Sequence, residues 1–102
     1  MLELRPNCEL CDKNLAPDSP EARICTYECT FCADCVETVL NNVCPNCGGG
    51  FVARPIRPRG EYRPGVGLDK HPASSRRVHC KHERGNIEAL VTRLASIEPQ
   101  DR

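Results

Sequence analysis

Tryptophan is absent from this 102-residue chain, and the other aromatics amount to two Tyr and two Phe. With so few rings, and with apolar residues seldom consecutive, a core of ordinary size is out of reach. Something covalent or metallic must help to hold the fold. No run of about 18 apolar residues occurs, so no membrane span or membrane partner is expected. The opening Met1-Leu2-Glu3-Leu4-Arg5-Pro6 lacks the basic stretch and apolar run of a secretion signal. The expected location is therefore cytoplasmic, where thiols stay reduced. Net charge is missing too, at a formal +0, but the balance hides a division. Residues 1–50 hold three Lys/Arg against eight Asp/Glu, residues 51–82 eight against two, and residues 83–102 three against four. An acidic head precedes a basic middle.

Cysteine and proline are what the chain has in excess, at nine each. Such cysteine density points to a disulfide scaffold or to metal sites. An odd count in a reducing compartment favours metal. All but Cys80 fall between Cys8 and Cys47, and Gly48-Gly49-Gly50 closes that region. Beyond it, Arg54-Pro55-Ile56-Arg57-Pro58-Arg59 and Arg63-Pro64 block helix and central strand, so residues 51–82 read as an extended basic segment. The last stretch, 83–98, carries Ile87, Leu90, Val91, Leu94 and Ile97 at helical spacing, with Pro99 as a stop.

The cysteines run Cys8-x2-Cys11-x13-Cys25-x3-Cys29-x2-Cys32-x2-Cys35-x8-Cys44-x2-Cys47. Two intervening residues let a chain curl so that both sulfurs face one tetrahedral ion. Eight thiols in this order predict two closed zinc sites of four thiolates each. Iron–sulfur ligation competes for the same ligands, usually with tighter, single-cluster spacing. Arg23 to Phe31 is rich in β-branched and aromatic residues and reads as a short hairpin. Ala33 to Leu40 reads as a helix ended by Asn41-Asn42. A knuckle, a hairpin and a helix carrying a C-x-x-C in its first turn is the treble-clef arrangement. It groups Cys8, Cys11, Cys32 and Cys35 on one zinc and Cys25, Cys29, Cys44 and Cys47 on the other, a cross-brace. Sequential pairing, 8/11/25/29 and 32/35/44/47, is the alternative.

This spacing is similar to that of the RING finger, with Cys29 where that family usually has histidine and Cys44-Pro45-Asn46-Cys47 like its closing C-P-x-C. A longer resemblance is to a bacterial family of short cysteine-rich proteins catalogued as domain of unknown function 1272. It rests on Arg5-Pro6-Asn7-Cys8-Glu9-Leu10-Cys11, Asp18-Ser19-Pro20-Glu21-Ala22-Arg23-Ile24-Cys25, Glu28-Cys29-Thr30-Phe31-Cys32-Ala33-Asp34-Cys35, Cys44-Pro45-Asn46-Cys47-Gly48-Gly49 and Lys70-His71-Pro72-Ala73-Ser74. It implies a bacterial source and no known activity, and residues 83–102 look like an extension.

Catalytic zinc keeps an open position, usually among His or carboxylate ligands, whereas eight thiolates fill both shells. A metal-bound thiolate is also a poor redox nucleophile. The expectation is thus a small α+β zinc-stabilised domain at 5–50, RING-like, that mediates protein–protein interaction and is not an enzyme. The alternative is a nucleic-acid-binding regulator that uses Arg54, Arg57, Arg59, Arg63, Arg76, Arg77 and Lys81 on phosphates. Only Tyr62 offers a stacking ring there, and the arginines can instead fold back on the acidic head. A ubiquitin ligase-like adaptor ranks third: Gly48 stands after the last ligand, where RING fingers commonly have a basic residue. His79, Cys80 and His82 suggest a third metal site, but adjacent ligands rarely suit one tetrahedral ion, so a surface cluster is favoured. The helical stripe is expected to pack on its own domain or to form a homodimer or partner surface.

Overall fold

A computed structural model of the chain describes residues 1–102. The hairpin forms where the β-branched run lies. Strand β1 (Ala22–Ile24) pairs antiparallel with β2 (Thr30–Cys32), in the register Ala22↔Cys32, Arg23↔Phe31 and Ile24↔Thr30. Every residue of β2 is buried. Phe31 is fully enclosed and meets Phe51 edge to face, with ring centroids 5.4 Å apart. That geometry adds a specific contact to the burial of the two rings.

From β2 the chain runs directly into helix. A single α turn, α1 (Ala33–Cys35), widens into a π-helical turn, Val36–Leu40. The expected helix over 33–40 is present, in two geometries rather than one. Val36 and Leu40 are buried while Glu37 stays outside. Asn41 and Asn42 then stop it by adopting left-handed conformations, at φ +46° and +62°. Asn tolerates that region better than most residues, because its short polar side chain bonds locally.

The Pro-rich segment is irregular but not free. It begins by supplying β3 (Val52–Ala53), which pairs with the other edge of β1 and gives the sheet order β2-β1-β3. Arg54 follows directly and is buried, its guanidinium donating to the carbonyls of Arg5 (2.9 Å) and Ala16 (3.0 Å). Arg57 donates to the carbonyls of Leu2 and His71. Arg76 pairs with Glu3 and Arg77 with Asp12. The basic middle therefore folds back over the acidic head.

Helix α2 (Arg84–Leu94) is shorter than the expected 83–98. Ile87 and Val91 enter the core, Leu90 and Leu94 pack against its edge, and Ile97 is left exposed beyond the helix end. Pro99 opens a 3-10 turn, Pro99–Asp101, instead of abutting the helix. One core of 14 buried residues unites hairpin, π turn and α2, and six of its members are Cys8, Cys25, Cys29, Cys32, Cys35 and Cys44. Cysteine sulfurs thus stand where a larger protein would place Leu and Phe. No helix is long and apolar enough to cross a membrane.

Candidate metal centres

Three tight knuckles carry six of the eight clustered cysteines, each closed by an amide on the carbonyl of its first cysteine and lined by an amide aimed at one of its sulfurs. In the first, the Asp12 amide donates to the Cys8 carbonyl (2.9 Å) and the Leu10 amide to the Cys8 sulfur (3.4 Å). In the second, the Glu28 amide donates to the Cys25 carbonyl (3.0 Å) and the Tyr27 amide to the Cys25 sulfur (3.4 Å). In the third, the Gly48 amide donates to the Cys44 carbonyl (2.7 Å) and the Gly49 amide to the Cys47 sulfur (3.4 Å). Each turn closes through a left-handed residue: Asp12 at φ +66°, Glu28 at +63° and Gly48 at +79°. Amides aimed at sulfur stabilise the thiolate, the form that binds metal.

The knuckles and the helix bring the sulfurs into two groups. Cys8, Cys11, Cys32 and Cys35 have their sulfurs within 4.8 Å of one another. The first pair comes from the first knuckle, the second from the end of β2 and from α1. Cys25, Cys44 and Cys47 form the second group at the same spacing. Cys29 stands just outside it, buried, with its thiol near Cys25 and Asn46. The grouping interleaves along the chain, since Cys25 falls between members of the first group. His79, Cys80 and His82 make no third group. His79 instead lies 3.7 Å from Asp12, and the Cys80 amide donates to the Glu9 carbonyl.

Electrostatics show what the thiols need. Burial pushes the Cys35 and Cys44 thiols far above the ordinary cysteine range, and the neighbouring sulfurs push the same way. Burial also raises Cys29 and Cys32. Cys11, at the surface, is lowered: burial opposes this, and hydrogen bonds from the Lys13 backbone and the surrounding cysteines outweigh it. Crowded, buried thiols ionise together only around a cation. A set of sulfur donors on amide-lined knuckles fits a thiophilic metal ion in each group.

Sequence reasoning missed the groups that join the two clusters. Glu9 lies inside the first knuckle with its side chain only 3% exposed. One carboxylate oxygen accepts from Arg5 (2.9 Å) and from the Thr30 amide (2.6 Å), and the other from Asn46 (3.3 Å) in the third knuckle. A carboxylate between two ligands was the available signal, but only the fold reveals its partners. Asn7 is similarly central, donating to Asp12 and to the Val78 carbonyl.

Comparison with known proteins agrees with this picture of a cysteine-rich module. The family model described as "Protein of unknown function (DUF1272)" matches residues 1–57. An uncharacterised protein of Rhizobium meliloti (strain 1021) is 59% identical over 78 residues, which cover 76% of this chain and 86% of the relative. No solved structure matches. With its cysteine knuckles inside the matched region and a relative this similar over most of both chains, the protein belongs to the DUF1272 family.

Proposed function

We propose that the chain is a non-catalytic module in which two structural zinc ions, held in a RING-like cross-brace, shape a surface for protein interaction. The observation that carries this reading is the four-thiol group Cys8, Cys11, Cys32 and Cys35. Four sulfurs complete a tetrahedral shell and leave no position for water or substrate. Cys29 completes the second shell when metal draws it toward Cys25, Cys44 and Cys47, from its place beside Cys25. Zinc suits this set better than an iron–sulfur cluster, because two separate interleaved thiol groups match two single ions.

The tethered arginines support a protein partner over a nucleic acid. Arg54, Arg57, Arg76 and Arg77 all donate to this chain's own carbonyls or carboxylates, so half of the eight cations of the basic segment already have partners within the chain, Arg54 buried and Arg76 and Arg77 at the surface. Exposed apolar side chains remain at Tyr27, Val52 and Ile56. Native mass spectrometry tests the metal content and is expected to give two zinc ions per chain. Capture from lysate with and without nuclease tests the partner class. Salt-tolerant, nuclease-insensitive capture fits the interaction reading. Steeply salt-dependent binding to generic DNA or RNA replaces it with the nucleic-acid reading.

A further inference from the structure

The glycine run Gly48-Gly49-Gly50 directly after the last ligand is a bed for the C-terminal residues. A Cβ at Gly48 would meet Leu94 Cδ1 at 3.1 Å, and one at Gly50 would meet Pro99 Cγ at 2.8 Å. Arg102 closes the contact. Its Nη1 donates to the carbonyls of Asn42 (2.9 Å) and Gly48 (3.0 Å), while its Nε donates to the Ile97 carbonyl (2.9 Å). One guanidinium thus pins the end of the chain to both sides of the loop that carries Cys44 and Cys47. Gly48 is also the residue whose amide closes the third knuckle on the Cys44 carbonyl.

The first cluster is held by different residues. Arg77 grips Asp12 through its carboxylate (2.7 Å) and its carbonyl (2.8 Å), and the Cys80 amide reaches the Glu9 carbonyl. The tail therefore divides its work: residues 77–80 brace the first knuckle and residues 94–102 brace the third.

We propose that the C-terminal segment, from Leu94 to Arg102, is a strap that governs metal retention at the Cys25, Cys44 and Cys47 cluster alone. The proposal rests on the two-site reading above. The strap lies beyond residue 57, where the family model ends. Whatever takes hold of the C-terminal segment frees the second ion and leaves the first in place.

The test uses the full-length protein carrying two ions, mixed with an excess of a chromogenic chelator. Cadmium-113 NMR of the cadmium-loaded form assigns each ion, using Cys8→Ser and Cys47→Ser as references. Arg102→Ala is expected to release the second ion about tenfold faster, as suits the loss of charged hydrogen bonds, with the first ion unchanged. Gly50→Ala, which keeps Arg102 but displaces Pro99, is expected to act in the same direction. Arg102→Lys recovers part of the retention, since an ammonium can reach only one carbonyl well. Amide exchange at Gly48 should rise in parallel with the release rate. Equal acceleration of both ions would show general destabilisation and overturn the strap. Unchanged release in both variants would overturn it equally. A starting protein with a single ion would overturn the two-site reading itself.

Discussion

Glu9 and Arg5 form a pair that is almost wholly enclosed, with side chains 3% and 14% exposed. Breaking such a pair from one side leaves a charge without a partner, which costs about 3–5 kcal/mol. Arg5→Met is therefore expected to lower the stability of the metal-loaded protein by that amount in urea denaturation. Adding Glu9→Gln should recover most of the loss, because the amide oxygen still accepts from Thr30 and no charge stays buried. Glu3 makes a different prediction. Its hydrogen bond from Arg76, aided by Arg5 and Ser74, holds its carboxyl at about 2 against an ordinary 4.5. A lowered native value stabilises fully above the ordinary value and fades as pH falls from about 4.5 toward 2. The gap in urea midpoint between the parent and Glu3→Gln should therefore be constant across the neutral range in which the thiolates hold metal, and a gap that changes with pH there would count against this assignment. Among the cysteines, Cys8→Ser and Cys35→Ser should damage the same ion, and Cys25→Ser and Cys47→Ser the other. Cadmium-113 NMR reads this directly, and Cys8 sharing an ion with Cys25 would refute it.

At the scale of elements, the sequence was most legible where structure is local. The cysteine pairs, the hairpin and the helix that follows it were readable because each depends on residues close in the chain. Helix α2 was readable from its spacing, but which of its residues matter most was not. Ile87, at 2% exposed, and Val91, at 7%, enter the core, while Leu90 and Leu94 stay at its edge, an arrangement set by the π turn they face. Ile87→Ala is accordingly expected to cost about 2–4 kcal/mol in thermal or urea unfolding, and Leu90→Ala clearly less. The fates of the arginines were illegible for a physical reason. Arg54 finds its acceptors 49 and 38 residues away, and Arg77 meets Asp12 across 65. Composition showed opposite charges in the two segments; only the fold shows which carbonyl each guanidinium reaches. The widening from α1 into a π turn left no mark in the hydrophobic pattern, since Val36 and Leu40 are four apart and share a face in either geometry.

For the molecule as a whole, the candidate metal centres and the core are one object. Six of 14 core residues are cysteines, so on the two-zinc reading proposed above, removing the ions leaves the centre lined with crowded thiols. Structural zinc contributes roughly 10 kcal/mol or more of folding free energy per site, more than the stability of many small domains. A strong chelator should therefore abolish amide dispersion throughout the chain, including α2, although no cysteine lies in that helix. Retention of α2 signals after chelation would show that its packing survives without the clusters.

The long-range tethers also mean that covalent continuity of the loop between them is dispensable. All eight predicted ligands precede residue 48, while Arg76, Arg77, Cys80 and α2 grip the head through contacts of their own. Proline follows Arg54, Arg57 and Arg63, which shields those bonds from trypsin, but Arg59 and Lys70 lead into Gly60 and His71 and are exposed. A nick at either point should leave two fragments that travel together on a sizing column. Fragments 1–59 and 71–102, made separately and mixed with zinc, should reconstitute the protein as a non-covalent heterodimer.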